Sequence, residues 1–129
     1  MNEHGFVKAV HKHLSPDVYR WKINDRFTGG VPDAFYAGPA SILFVEYKFI
    51  YKLPNNSIKT GLSVLQQQWL HRISGYGVPC WVVIGTEEEG VAVLKDTSVK
   101  LDVLPKKSFD PDLTYKDVAL CILEATCGL

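Results

Sequence analysis

A chain of 129 residues, 47% apolar and 22% charged, suits one folded domain with one core and excludes a disordered or fibrous polypeptide. Fourteen basic residues balance fourteen acidic ones, so no global charge draws the chain to nucleic acid; any such binding has to come from a local patch. The three cysteines, Cys80, Cys121 and Cys127, are odd in number and lack C-x-x-C spacing, which argues against a disulfide framework or zinc knuckle and for a reducing, cytoplasmic setting.

Phe6, Val7, Val10 and Leu14 make one apolar stripe at helical spacing. They predict a first helix over residues 2–14, with Asn2 as its N-cap and Ser15-Pro16 as its stop. His4, Lys8, His11 and Lys12 leave no room for the h-region of a signal peptide, and no later apolar run approaches a membrane span. His4, His11 and His13 do not form a coherent metal-binding face. Residues 18–23 predict a strand with Tyr19, Trp21 and Ile23 on one side. Arg20, Lys22 and Arg26 place positive charge among these aromatics, a pattern that suits phosphate and equally suits an exposed edge strand.

Gly29-Gly30-Val31-Pro32 reads as a turn. A short strand over 33–36 follows, Gly38-Pro39 breaks it, and a longer strand runs over 41–50. So short a break makes the two an antiparallel hairpin. Residues 52–61, with Lys52 and Lys59, are expected to form a polar, mobile loop. Leu62, Leu65, Trp69 and Ile73 predict a second helix over 62–76, with Ser63 and Gln66 in capping-box positions and Gly77 closing it. Residues 79–85 are a nearly continuous apolar run, hence a buried strand, and 91–94 complete a second hairpin after the 87–90 turn. Residues 99–104 are a candidate edge strand and 106–111 a linker. A last helix spans 114–126, with Thr114 as cap, Asp117 three residues on, and Val118, Cys121, Ile122 and Ala125 on one face. This order predicts a single α/β domain over 1–129 with a mixed central β-sheet flanked by α-helices.

One stretch breaks its own local rule. Glu46 and Lys48 lie two apart in an apolar strand, so they share a face, while Val45 and Tyr47 take the other. Charges there are costly unless something needs them. Folding back over the 37–40 break can bring Asp33 beside Glu46. Two converging carboxylates make a hard, oxygen-rich site that suits Mg²⁺ or Mn²⁺ rather than zinc, and the backbone carbonyl of Tyr47 could supply a third oxygen. A lysine beside the metal can orient an attacking water and stabilise the charge of a phosphorane. The set suits hydrolysis of a phosphodiester.

Pro32-Asp33 followed by Glu46-Tyr47-Lys48 resembles the PD-(D/E)XK motif of metal-dependent nucleases. The longer pattern adds Gly30-Val31 before it, Val45, Leu62-Ser63-x-x-Gln66-x-x-Trp69-Leu70 and Gly77. That combination is similar to the VRR-NUC branch of the superfamily, whose small stand-alone members occur in phages and bacteria. The resemblance covers residues 1–95; the 96–129 extension lies outside it and is expected to complete the sheet or a dimer interface. The resemblance implies a restriction-endonuclease-like core, with Asp33 and Glu46 as metal ligands and Lys48 as the catalytic lysine. It implies that Gln66 is the helix-borne glutamine beside the active site, with Gln67 in that place if the helix phase is off by one, and that Glu3 approaches the metal. It further implies kinship with junction-resolving enzymes that act as homodimers on a symmetric substrate.

The expectation is therefore a Mg²⁺-dependent DNA endonuclease, with Mn²⁺ able to substitute, that acts on branched DNA of Holliday-junction or flap type. Its setting would be the cytoplasm of a bacterium or a phage-infected cell. Arg20, Lys22, Arg26, Lys52 and Lys59 would hold phosphates near the site. Each residue has a plainer rival: Asp33 as a turn residue after proline, Glu46 and Lys48 as a solvated strand face, Gln66 as a cap partner, Glu3 as an acid favoured in a helix's first turn. The competing function is a nuclease-like module that binds branched DNA or a protein without cutting. The full acid–acid–lysine set argues against it.

Overall fold

The computed structural model describes residues 1–25 and 27–128. Its helices are α1 (Glu3–His13), α2 (Val64–Gly75) and α3 (Tyr115–Cys127). Its strands are β1 (Tyr19–Lys22), β2 (Ala34–Ala37), β3 (Ile42–Ile50), β4 (Ile58–Lys59), β5 (Cys80–Thr86), β6 (Val91–Leu94) and β7 (Val103–Leu104). Each helix begins at the cap the sequence marks. The Asn2 side chain accepts from the Gly5 N–H, and Ser63–Gln66 and Thr114–Asp117 both close full capping boxes.

Five strands make the main sheet in the order β1-β2-β3-β5-β6. β3 and β5 run parallel and the other neighbours antiparallel, so the sheet is mixed. A parallel pair needs a crossover, and α2 lies within it. The strand parity divides the core in two. Leu43, Val45 and Tyr47 of β3 pack with Phe6, Val10, Val118 and Ile122 from α1 and α3. On the opposite face Phe44 packs with Val82 and Ile84 of β5 and with Leu70 and Trp69 of α2. Glu46 and Lys48 share the parity of Phe44 and so belong to the α2 side.

Inside the first layer the buried phenols of Tyr36 and Tyr47 lie 2.7 Å apart, and the Tyr36 hydroxyl meets His11 Nε2 at 2.6 Å. The chain of three satisfies polar atoms that would otherwise be orphaned in an apolar core. Burial, with Arg20 and Lys22 nearby, pushes His11 down to about 4, so its ring is neutral at ordinary pH.

The structure corrects four expectations. Residues 52–61 are not simply a polar loop: β4 pairs with β7 in a second, two-stranded sheet, Leu53, Ile58 and Thr60 are buried, and Thr60 Oγ1 donates to the Leu101 carbonyl at 2.7 Å. Isolated apolar residues from two distant loops cover the lower edge of the α2-side core. On α2, Leu65 is exposed and Leu70 is the buried residue, because the first turn of the helix abuts the Gly29-Gly30 turn rather than the sheet. Residues 106–111 are tied down by buried Phe109 and by Asp110, which bridges to Val91. Finally, the strand of the 96–129 extension does not join the main sheet, which the extension meets only at the Asp110–Val91 bridge: β7 pairs with β4, while α3 packs beside α1 over β2 and β3. Among the described residues no helix is long and apolar enough to cross a membrane.

Candidate active site

Asp33 is placed by the turn before it. Gly30 has φ +85°, and a Cβ there would meet the Leu65 carbonyl oxygen at 2.3 Å. Only glycine lets this turn lie against the first turn of α2, and the contact sets Asp33 and α2 around the same end of β3. Gly30→Ala is expected to cost at least about 1–2 kcal/mol, from the left-handed backbone alone, before the clash is counted. Chemical denaturation would measure it.

Asp33 ends one residue before the β2–β3 ladder begins at Ala34↔Val45, so it stands opposite Glu46. Its Oδ2 accepts the backbone N–H of Tyr47 at 2.8 Å. That N–H points to the β2 side, past the end of β2. A strand residue's N–H and C=O leave on the same side, so the Tyr47 carbonyl faces the same gap. The Tyr47 side chain goes the other way, into the core.

Glu46 is only 2% exposed. Its Oε2 accepts from Gln66 Nε2 at 3.0 Å, and its Oε1 is buried without any hydrogen-bond partner. Gln66 does two jobs with one side chain: Oε1 accepts the Ser63 N–H at 2.9 Å, closing the capping box, while Nε2 holds Glu46. Gln66 is thus a cap partner that also lies against Glu46. Gln67 faces elsewhere: it donates to Asp102 Oδ1 and accepts from the Leu101 N–H at 3.3 Å, so the helix phase excludes it from the site.

The electrostatics follow from crowding. Burial first, then the Asp33 carboxylate, raise Glu46 to about 9, with Glu3 adding to the rise and Lys48 opposing it. Asp33 is also raised by burial, against the pull of the Tyr47 N–H and of Lys48 and Lys22. Glu3 is raised by burial and by Asp33, with Lys48 again opposing. It lines a small cleft of about 140 Å³ with His4, Val7, Lys22 and Asp33. The charges of Asp33, Lys48 and Glu3 thus all act on Glu46.

A divalent cation fits this set. The unpartnered Glu46 Oε1 has two ways to be satisfied, a proton shared with Asp33 or a cation beside both carboxylates. Among the described residues no three His, Cys, Asp or Glu side chains converge on one point. The oxygens that would face a cation are the two carboxylates and, from its direction, the Tyr47 carbonyl. That sparse oxygen set suits Mg²⁺, which keeps several waters and asks few protein ligands of its site.

The cations expected to hold phosphate are not gathered together. Lys22 is at the cleft, its Nζ 3.0 Å from His4 Nδ1. Arg20 instead donates to the His11 and Leu14 carbonyls at 2.9 and 3.3 Å, satisfying the bare C-terminal end of α1. Lys52 lines a cleft with Glu87, Glu88 and Glu89, away from Asp33 and Glu46. Lys59 is exposed on β4, and Arg26 lies outside the described residues. Two contributions escaped sequence reasoning: the Tyr47 N–H as the clamp on Asp33, and the pairing of His4 with Lys22. Neither carries a sequence signal: the first is a backbone group, and the second depends on where β1 lies relative to α1.

The fold is a mixed α/β sheet flanked by helices, and it is shared with a DNA-processing enzyme. The chain is similar to the solved structure of Hjc, a Holliday junction resolvase from the archaeal hyperthermophile Archaeoglobus fulgidus: TM-score 0.58, covering 93% of this chain and 97% of that one. At 15% sequence identity the likeness is one of fold. No protein-family model matches the chain, and a search of curated proteins finds no match either.

Proposed function

We propose that the chain is a divalent-metal-dependent endonuclease of the PD-(D/E)XK type, close to the VRR-NUC branch, that cuts branched DNA as a homodimer in the cytoplasm of a bacterium or phage-infected cell. One observation carries the proposal. Glu46, buried and holding an unpartnered oxygen, stands opposite Asp33 and two residues from Lys48, on the fold of a junction resolvase.

Asp33, Glu46 and the Tyr47 carbonyl would hold Mg²⁺ or Mn²⁺. When bound, the ion would polarise the phosphodiester and make water a better nucleophile. The chain's own groups do the rest. Lys48 points from the same strand face as Glu46, where its ammonium can orient the attacking water and offset charge that develops on phosphorus. Gln66 fixes the Glu46 carboxylate, and the Tyr47 N–H fixes Asp33, so neither ligand has to be ordered during the reaction. Glu3 and Lys22 border the cleft beside Asp33, where a strand could enter.

The test is a cleavage panel with Mg²⁺ or Mn²⁺ on a four-way junction, a flap, a nicked duplex, a linear duplex and a single strand. The expected result is metal-dependent cutting of the junction or flap in preference to linear duplex. Equal cutting of every substrate would replace structure selectivity with general nuclease activity. Tight junction binding without any cutting would favour the non-cutting module.

A further inference from the structure

We propose that the cleft at the open edge of the main sheet, walled by Trp21 and floored by Phe44, is a binding site for one unpaired nucleobase of a DNA strand. The proposal deepens the nuclease reading by naming the substrate feature that the site selects.

Trp21, Phe35 and Phe44 occupy directly opposed positions on β1, β2 and β3. Their rings form a row: 6.3 Å between the centroids of Trp21 and Phe35, 5.1 Å from Phe35 to Phe44, and 5.1 Å on to Trp69 of α2. At its inner end the row is core. At its outer end it runs out to the edge strand, where Trp21 is 54% exposed. An indole left open beside a packed aromatic row is a stacking platform, not core.

The cleft beside it has a volume of about 430 Å³ and is lined by Trp21, Lys22, Asn24, Val31 and Phe44 among others. Lys22 also lines the cleft that contains Asp33. The two clefts therefore share Lys22, whose ammonium lies against His4 and has no carboxylate partner among the described residues. A strand whose phosphate lies at Asp33 and Glu46 can pass Lys22 and put a neighbouring base against Trp21. Asn24 offers an amide donor and acceptor to a base edge. Asp25, the acid on this rim, already accepts the N–H groups of Phe27 and Thr28 with one oxygen, at 2.8 and 3.2 Å.

This polar rim and its continuity with the acid site favour nucleic acid over a second copy of the chain. A base in a duplex has both faces covered by its neighbours, so the platform takes only an unstacked one. Junction centres, flaps and frayed ends supply such bases; plain duplex does not.

The test is a fluorescence-anisotropy titration of a short 5′-labelled oligothymidylate with the full chain in EDTA, for the native protein, Trp21→Leu and Trp21→Tyr. The expected result is binding by the native protein, affinity reduced at least about five-fold in Trp21→Leu, and most of it kept in Trp21→Tyr. As a measurement independent of any variant, a 2-aminopurine placed in the oligothymidylate should lose emission on binding the native protein. The proposal is overturned by unchanged affinity in Trp21→Leu, by 2-aminopurine emission that does not fall, or by an abasic sugar–phosphate oligomer that binds as tightly. Sedimentation showing a dimer that Trp21→Leu dissociates in the absence of DNA would assign the face to a second copy and also overturn it. No metal and no cleavage enter these readouts. An inactive chain that binds through Trp21 supports the base site, and an active nuclease indifferent to Trp21 refutes the base site alone.

Discussion

Lys48→Ala is expected to lower DNA cleavage by at least about 10²–10³-fold while the fold and DNA binding persist. Lys48 stands two residues beyond Glu46 on one strand face, and its charge opposes the upward shift of Glu3, Asp33 and Glu46. It makes no ion pair among the described residues, so truncation leaves no buried carboxylate stranded by the loss of a direct salt bridge. The side chain is half-buried, so its removal leaves no fully enclosed cavity. Single-turnover cleavage and filter binding, measured together, separate the two effects. Undiminished cleavage in the variant would remove the mechanism.

The second large effect is on stability against pH in the absence of metal. Glu46 titrates near 9 in the fold and near 4.5 in an unfolded chain. Between those values the native state holds a proton that the unfolded state has lost. Stability is then fully present below the unfolded value and falls as pH rises through the folded one, by up to about 1.4 kcal/mol per pH unit for one group. Asp33 and Glu3 are shifted in the same direction and add to the slope. The metal-free protein should therefore melt highest in weak acid and progressively lower toward pH 9. Glu46→Gln cannot lose that proton and should flatten much of the slope. Mg²⁺ or Mn²⁺ at pH 8 should raise the melting temperature of the native protein, and hardly that of Glu46→Gln or Asp33→Ala. Calorimetry over a pH series would show it; a metal-free Tm that rose with pH would contradict the buried, proton-holding Glu46.

The parts that could be read in the sequence were those governed by local rules. Asn2, Ser63 and Thr114 announced the helix starts because capping is chemistry over three or four residues. The period of two placed Glu46 and Lys48 together, and the short break at Gly38-Pro39 forced the hairpin that sets Asp33 opposite Glu46. The β4–β7 pair could not be read, because two-residue strands more than forty residues apart carry no period. Leu65 satisfied the helical spacing and still lies exposed, since a spacing names a face but not what that face meets. Gln66 was ambiguous for a different reason. One amide has two ends, and only the fold shows that the cap takes the oxygen and Glu46 takes the nitrogen. Arg20 looked like a phosphate contact because its partners are carbonyls in the last turn of α1, a helix end that the sequence does not place against β1.

The carboxyl end of α3 reaches the hairpin. The Thr126 carbonyl accepts the N–H groups of both Ala40 and Ser41, at 2.9 and 3.1 Å, and Gly38 lies so close that a Cβ would stand 2.5 Å from that oxygen. The turn that joins the strand of Asp33 to the strand of Glu46 is thus latched by the opposite end of the chain. The hairpin that carries Asp33 and Glu46 is therefore held in part by residues far outside it. A fragment trimmed to residues 1–95 would keep every motif residue and lose the latch, the lid over β2 and β3, and the rigidity that holds the two acids face to face.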